Sequence, residues 1–553
     1  MARQKLHGRA FYESLGSPKY ILAPMVDQSE FAWRLLTRSF LPPDLRTSIL
    51  AYSPMLHAKL FAEAPKYRAS HFQPLKPPFA VSPSQPGDAE QQKTFDLEKD
   101  AYMDGNPQSD RPLFVQFCAN DATHFLEAAK VVQPYCDAVD LNLGCPQGIA
   151  RRGNYGSFLQ EDWATIRKLI RTLHEELDIP VTAKMRVLET RERTLQYAQM
   201  ILDAGASIIT VHGRQREQKG HNTGLADWSV LRYLREQLPP ETVIFANGNI
   251  LQHGDIQKCL DETKADGVMT AEGNLYDPSI FATPPPAGEE GREYWRGRDG
   301  KGGYRCDAVL RRYLDIIHKH VLQKEPPARK PLFLPTDELV QTESELDDSA
   351  SEDNQPPAKK QKREEVQQAP KNGKQEKVTA ANFVAMQAHC FHILRPLVSK
   401  HHNVRDTLAR SRAGDIEAYE NVLTLTEAAV REGLLAYGRN PAEFEEPDDA
   451  ANTTSEHPSP YESSVEAVKR CKRPYWICQP YVRPLPKEAL EKGSMQLSNK
   501  AKKKLAKAEE EAKKSGLEPG GKVGEVGERE LANGHVEGEV KKEEVPTEGL
   551  VCG

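Results

Sequence analysis

At 553 residues the chain exceeds what one hydrophobic core serves, and a hydrophobic share of 38% with 40 prolines predicts two or three folded units joined by disordered connections. A net charge of −6 is too close to neutral to argue for or against a nucleic-acid partner, so local patches decide. Nine cysteines, an odd number without ligand or framework spacing, argue against a disulfide scaffold and a structural metal, and no run reaches the roughly 18 apolar residues that cross a bilayer.

The first segment, MARQKLHGRAFYESLG (1–16), is an N-terminal extension without the apolar core of a secretion signal, so a soluble intracellular protein is expected. Eight strand-length apolar runs follow: KYILAPMV (19–26), TSILAYSPM (47–55), PLFVQFCA (112–119), AVDLNLGCP (138–146), PVTAKMRV (180–187), SIITVHGR (207–214), VIFANGNI (243–250) and ADGVMTAEG (265–273). Most gaps between them hold a helix, which predicts an α/β protein with a (β/α)8 (TIM) barrel over residues 17–281. Proline and polar residues at about 65–111 predict a mobile insertion between the second and third strands. Residues 282–303 read as a linker. Helical spacing over 304–324 and 381–437 predicts a small all-α domain, split by a disordered insertion at 325–380. That insertion carries a basic cluster, Lys359, Lys360, Lys362 and Arg363, which reads either as a nuclear import signal or as a solvated charge run, giving a cytoplasmic protein with nuclear entry left open. The tail, 438–553, is expected to be mostly disordered, apart from PYWICQPYVRPLP (474–486) and a charged helix over 500–516.

In such a barrel the carboxyl ends of the strands carry chemistry. Cys145, between glycine and proline, is expected on an exposed turn, where a thiol serves as nucleophile or proton donor; Cys118, Cys136 and Cys259 are expected in the core. Asn142, three residues earlier, places an amide near the same substrate. Lys184 and Arg186 share one face of the fifth strand and call for an anion or an electron-rich ring such as a reduced flavin. His212 can donate to a ring or a phosphate. The tripeptides Asn247–Gly248–Asn249 and Ala271–Glu272–Gly273 close the last two strands, where backbone N–H groups commonly hold phosphate; tight turns with satisfied side chains are the plainer alternative. Pro24, Met25 and Gln116 offer an apolar wall and an amide to a flavin ring.

The motifs LAPMVDQSEFAWRLL, YSPMLHAKLF, VQFCAND, AVDLNLGCPQGIARRGNYGSFL, VTAKMRV, TVHGRQREQKG, FANGNI and GVMTAEGNLYDP, in this order, resemble those of the tRNA-dihydrouridine synthases, and within them the eukaryotic enzymes acting on positions 16 and 17 of the D-loop. The resemblance covers about residues 17–281 and continues loosely into the helical segment and 474–486. It implies reduction of uridine by an FMN enzyme fed by NADPH or NADH. The FMN contacts it implies are Pro24, Met25, Val26, Gln116, Lys184, His212, Asn247, Gly248, Asn249, Ala271 and Glu272, with Cys145 as proton donor and Asn142 and Arg186 on the flipped uracil. Arg151, Arg152, Arg214, Arg216 and Lys219 are candidates for RNA phosphates, as are Lys400, His401, His402, Arg405, Arg410 and Arg412 in the helical domain. A monomer is expected, and RNAs other than tRNA remain open as substrates. Two rivals stand beside this reading: an FMN barrel acting on a free pyrimidine, in the manner of a dihydroorotate dehydrogenase, and an RNA-binding scaffold without activity.

Overall fold

The computed structural model describes residues 5–76, 102–337, 379–445 and 463–491. The basic cluster at Lys359–Arg363 and the charged helix at 500–516 lie outside these residues. Eight parallel strands, β1 (Tyr20–Leu22), β2 (Ile49–Tyr52), β3 (Leu113–Cys118), β4 (Ala138–Leu143), β5 (Val181–Arg186), β6 (Ile209–His212), β7 (Ile244–Asn247) and β8 (Gly267–Thr270), coincide with the eight apolar runs. Each pairs with its neighbours, and β8 with β1 and β2 with β3 close the ring. The strands are buried on both faces, which is why they read as continuous apolar runs.

Helices return the chain to the start of each strand, and side chains cap several first turns: Asp121 before α3 (Ala122–Val132), Asp162 before α4 (Trp163–Glu176), Thr190 before α5 (Arg191–Asp203) and Asp227 before α6 (Trp228–Gln237); α7 (His253–Thr263) and α8 (Glu272–Tyr276) follow β7 and β8. The N-terminal extension is part of this body. In α1 (Gly8–Ser14), Phe11 stacks on Phe114 of β3 at 5.9 Å and Tyr12 donates to the carbonyls of Pro18 and Asp266, so α1 plugs the amino end of the barrel.

Several expected boundaries move. Residues 65–76 and 102–111 are built structure and not mobile insertion: Pro65–His71 is a helix, and Asp104 and Asp110 are buried against Arg34 and Arg38 of α2 (Phe31–Ser39). Two guanidinium groups and two carboxylates compensate one another there, which lets a polar segment lie in the interior. The expected linker contains a hairpin, β9 (Tyr294–Arg296) with β10 (Gly302–Tyr304). Residues 325–337, expected to belong to the disordered insertion, are instead anchored by Arg292 to Asp337 at 2.8 Å and by Arg329 to Glu420 at 2.8 Å.

The helical part comprises α9 (Cys306–Ile316), α10 (Met386–Ile393), α11 (Arg395–Lys400), α12 (His402–Arg410) and α13 (Ile416–Arg439). It is not a detached domain, because one hydrophobic core runs from the barrel into it. His389 of α10 stacks on Trp33 of α2 at 3.9 Å and meets Glu30 at 3.0 Å.

Residues 463–491 of the tail close this body. After α14 (Ser464–Cys471), Ile477 pairs with Arg305, the carbonyl of Trp476 accepts from the Cys306 N–H, and the Trp476 ring is fully buried among Trp295, Phe444 and Tyr475. Gly433 of α13 makes this possible, since a Cβ there would stand 2.4 Å from the Trp476 ring. Gly433→Ala is therefore expected to overpack the seam and cost about 1–3 kcal/mol, read as a lower urea midpoint.

Candidate active site

Strand register decides which side chains meet. Gln116 lies opposite Asp140 and Asp140 opposite Thr182; Asn142 lies opposite Lys184; Arg186, His212 and Asn247 form one row. Paired residues share a face and successive residues alternate, so these polar groups all belong to one face. They are buried, and most are satisfied by one another. Thr182 Oγ1 and Gln116 Nε2 donate to the two oxygens of Asp140 at 2.6 and 2.8 Å. Gln116 Oε1 accepts from Asn142 Nδ2 at 2.8 Å, and Asn142 Oδ1 accepts from the N–H groups of Gly144 and Cys145 at 3.1 and 2.9 Å. Burial pushes the Asp140 carboxyl up to about 6, which leaves it ionised at neutral pH.

Cys145 is not on an exposed turn. It is 1% exposed and packs with Cys118, Ala150 and Tyr155 in a small apolar cluster under the short helix Gly148–Gly153. Its carbonyl accepts from the Ser157 N–H and hydroxyl. Gly156 allows that approach: its φ is +64°, and a Cβ there would stand 2.8 Å from the Cys145 carbonyl. Cys118, Cys136 and Cys259 are buried.

A cleft opens where β5 to β8 end. Arg186, His212, Arg214, Lys219, Asn247, Gly248, Asn249, Ala271 and Glu272 line it, together with Thr270, Tyr276, His392 and Arg483. His212 Nε2 accepts from Arg214 Nη1 at 3.1 Å, so the ring proton sits on Nδ1, a buried donor without a protein partner. Burial first, then Arg186, Lys184 and Arg214, hold this imidazole well below its ordinary value and therefore neutral. Asn247 Oδ1 is likewise buried without a partner, while its Nδ2 donates to the Met269 carbonyl.

Like Gln116 and Asn142, two expected ligands of the cleft are engaged within the protein. The Asn249 amide bonds both backbone groups of Ala226 and accepts from Arg214 Nη2, so the backbone of this turn, not its amide, remains to serve a ligand. The Glu272 carboxylate is held by Arg483 Nη2 at 2.6 Å. The sequence reading missed Arg483, Tyr276 and His392; the arginine in PYVRPLP was the available signal. Arg395 of α11 lies 3.7 Å over the Tyr481 ring, so barrel, helical part and tail all meet at this mouth.

The remaining candidates spread outward. Pro24, Met25, Gln116, Asn142, Cys145 and Lys184 are buried and Val26 is half-buried; all lie at the same strand ends but outside the lining of the cleft. Arg151 and Arg152 are exposed on the short helix beside Cys145. Arg216 pairs with Glu161 and Glu217 and lies over the Phe158 ring, and Lys219 donates to the Pro146 carbonyl. In the helical part Lys400 lies over the Tyr475 ring, His401 packs on Tyr475 and Arg405 pairs with Asp406; Lys400, His402, Arg405, Arg410 and Arg412 are all exposed.

A closed (β/α)8 barrel with a cationic cleft, unpartnered buried polar atoms and a thiol at the carboxyl ends of its strands defines the class: a barrel whose candidate site lies where this fold carries its chemistry. The chain belongs to the dihydrouridine synthase family, whose description, Dihydrouridine synthase (Dus), matches residues 21–318. It is 40% identical over 487 residues to a tRNA-dihydrouridine(16/17) synthase (NAD(P)(+)) of Saccharomyces cerevisiae, covering 87% of this chain and 88% of that protein. The protein of the same name from Schizosaccharomyces pombe is 38% identical over 486 residues, covering 88% and 93%. A protein from Rattus norvegicus, named tRNA-dihydrouridine(16/17) synthase (NAD(P)(+))-like, is 41% identical over 317 residues, covering 57% and 60%.

Proposed function

We propose that this chain reduces uridine to 5,6-dihydrouridine at positions 16 and 17 of the tRNA D-loop, with FMN as cofactor and NADPH or NADH as electron donor. The observation that carries this reading is the likeness to yeast enzymes named for that specificity over 87% of the chain, barrel and helical part together. The residues fit the cofactor. Arg186, Arg214 and Lys219 supply positive charge around the cleft, and His212 Nδ1–H is a buried donor in need of an acceptor. FMN would be held by Pro24, Met25, Val26, Gln116, Lys184 and His212, with the backbone of Asn247–Asn249 and of Ala271 and Glu272 toward its phosphate. When bound it supplies the hydride for C6 of the uracil.

The chain's own residues do the rest. Asn142 and Arg186 orient the ring, and Cys145 donates a proton from Sγ to C5. A uridine stacked in a folded tRNA must be turned out to reach these groups, and Arg151, Arg152 and the exposed Arg410 and Arg412 steer its phosphates. Because Cys145 is buried, the segment carrying it must move when the substrate enters.

The visible absorption spectrum of the purified protein tests this reading. Oxidised-flavin bands that bleach with NADPH and recover faster with unmodified tRNA than with free uridine are expected. Faster recovery with the free pyrimidine would favour a barrel enzyme of small substrates. A protein that stays colourless after incubation with FMN yet binds tRNA would favour a scaffold.

A further inference from the structure

We propose that Asp140 is a positioning residue whose carboxylate sets the direction of the Gln116 and Asn142 amides and, through them, holds the Gly144–Cys145 backbone in place. The argument is one of donors and acceptors. An ionised carboxylate only accepts, so Gln116 must turn its nitrogen toward Asp140 and its oxygen toward Asn142. Asn142 must then present its nitrogen to Gln116 and its oxygen to the loop. At the far end the N–H groups of Gly144 and Cys145 only donate, and they demand that same oxygen. Both ends of the chain thus impose one orientation on two amides that are otherwise free to turn over.

Gln116 and Asp140 are wholly buried, so no solvent competes for these bonds, and Thr182 fills the remaining oxygen of Asp140. Lys184 on β5 and Tyr52 on β2 are the titratable groups facing the carboxylate. With an apolar residue at 140 the buried Gln116 nitrogen loses its acceptor, and the two amides are then held from the loop end alone, by the Gly144 and Cys145 N–H groups. The Asn142 amide that anchors the thiol-bearing segment would then be backed on one side only, and the segment would open more often.

The test needs neither substrate nor turnover, so its failure is distinct from failure of the proposed activity. The purified holoprotein is treated with iodoacetamide, and alkylation of Cys145 is followed by peptide mass spectrometry, with buried Cys136, outside this chain of bonds, as internal reference. Asp140→Ala is expected to speed alkylation of Cys145 about tenfold, the factor that one buried hydrogen bond represents, with Cys136 unchanged. Asp140→Asn keeps an acceptor for Gln116 and is expected to stay within about threefold of the unaltered protein. An unaltered Cys145 rate in Asp140→Ala overturns the proposal, as does equal acceleration by Asp140→Ala and Asp140→Asn. Should Cys136 accelerate with Cys145 in Asp140→Ala, Gln116→Met, which cuts the chain one link nearer the thiol, decides: selective acceleration of Cys145 supports the relay and an unchanged rate overturns it.

Discussion

Replacing Cys145 by alanine is expected to slow dihydrouridine formation about 100- to 10,000-fold while the protein keeps its flavin, because a single positioned proton donor contributes that much. The two effects separate on structural grounds. Cys145 does not line the cleft whose cations and unpartnered atoms suit the cofactor, so its loss leaves that site whole. Its side chain sits in a small cluster with Cys118, Ala150 and Tyr155, apart from the groups that line the cleft. Single-turnover oxidation of the reduced enzyme by unmodified tRNA, with flavin content measured on the same sample, checks both halves. Loss of flavin, or full activity, would remove Cys145 from the role of proton donor.

The second large effect concerns stability. Trp476→Ala is expected to cost about 3–5 kcal/mol, the range for truncating a buried aromatic side chain. Rings of Tyr475, Phe444 and Trp295 lie at 5.0, 5.1 and 5.8 Å from it, and the Gly433 backbone is packed against its face. Its Nε1 has no partner, so the loss is one of packing and not of a hydrogen bond. The effect should also reach the mouth of the barrel, since Arg483 approaches Glu272 from the segment that Trp476 anchors. Urea denaturation followed by circular dichroism measures the first effect. A drop of less than about 1 kcal/mol would mean that the tail is not an integral part of the core.

The barrel was legible because its strands are buried on both faces, so each shows as an unbroken apolar run between turn residues. Strand-end residues were legible for the same reason: Lys184, Arg186 and His212 stand out against such runs. Asp140 shares one face with Asn142, two positions on, but it lies inside the run AVDLNL and not at its end, so its role depends on Gln116 and Thr182 of the neighbouring strands. Other features depend on partners distant in sequence. Nothing near Asp104 or Asp110 announces that Arg34 and Arg38 will accompany them into the interior, so a polar, proline-bearing stretch reads as solvent-exposed. Gly144–Cys145–Pro146 likewise reads as an open turn until the fold lays Ala150 and Tyr155 across it. Arg483 lies 211 positions from Glu272 in the chain, and the two meet because Trp476 and Ile477 anchor the intervening segment on the body.

That late docking has a consequence for synthesis. Arg305 leaves the ribosome well before its partner Ile477, and at ordinary elongation rates the interval is roughly ten to thirty seconds. During it the bed that Trp476 will fill, lined by Trp295 and Gly433 among others, stands bare on a nascent chain whose barrel strands have already emerged. Such a surface invites chaperones and aggregation alike. Substitutions along residues 474–483 should therefore register first as a poorer yield of soluble protein, before any loss in the specific activity of the molecules that mature.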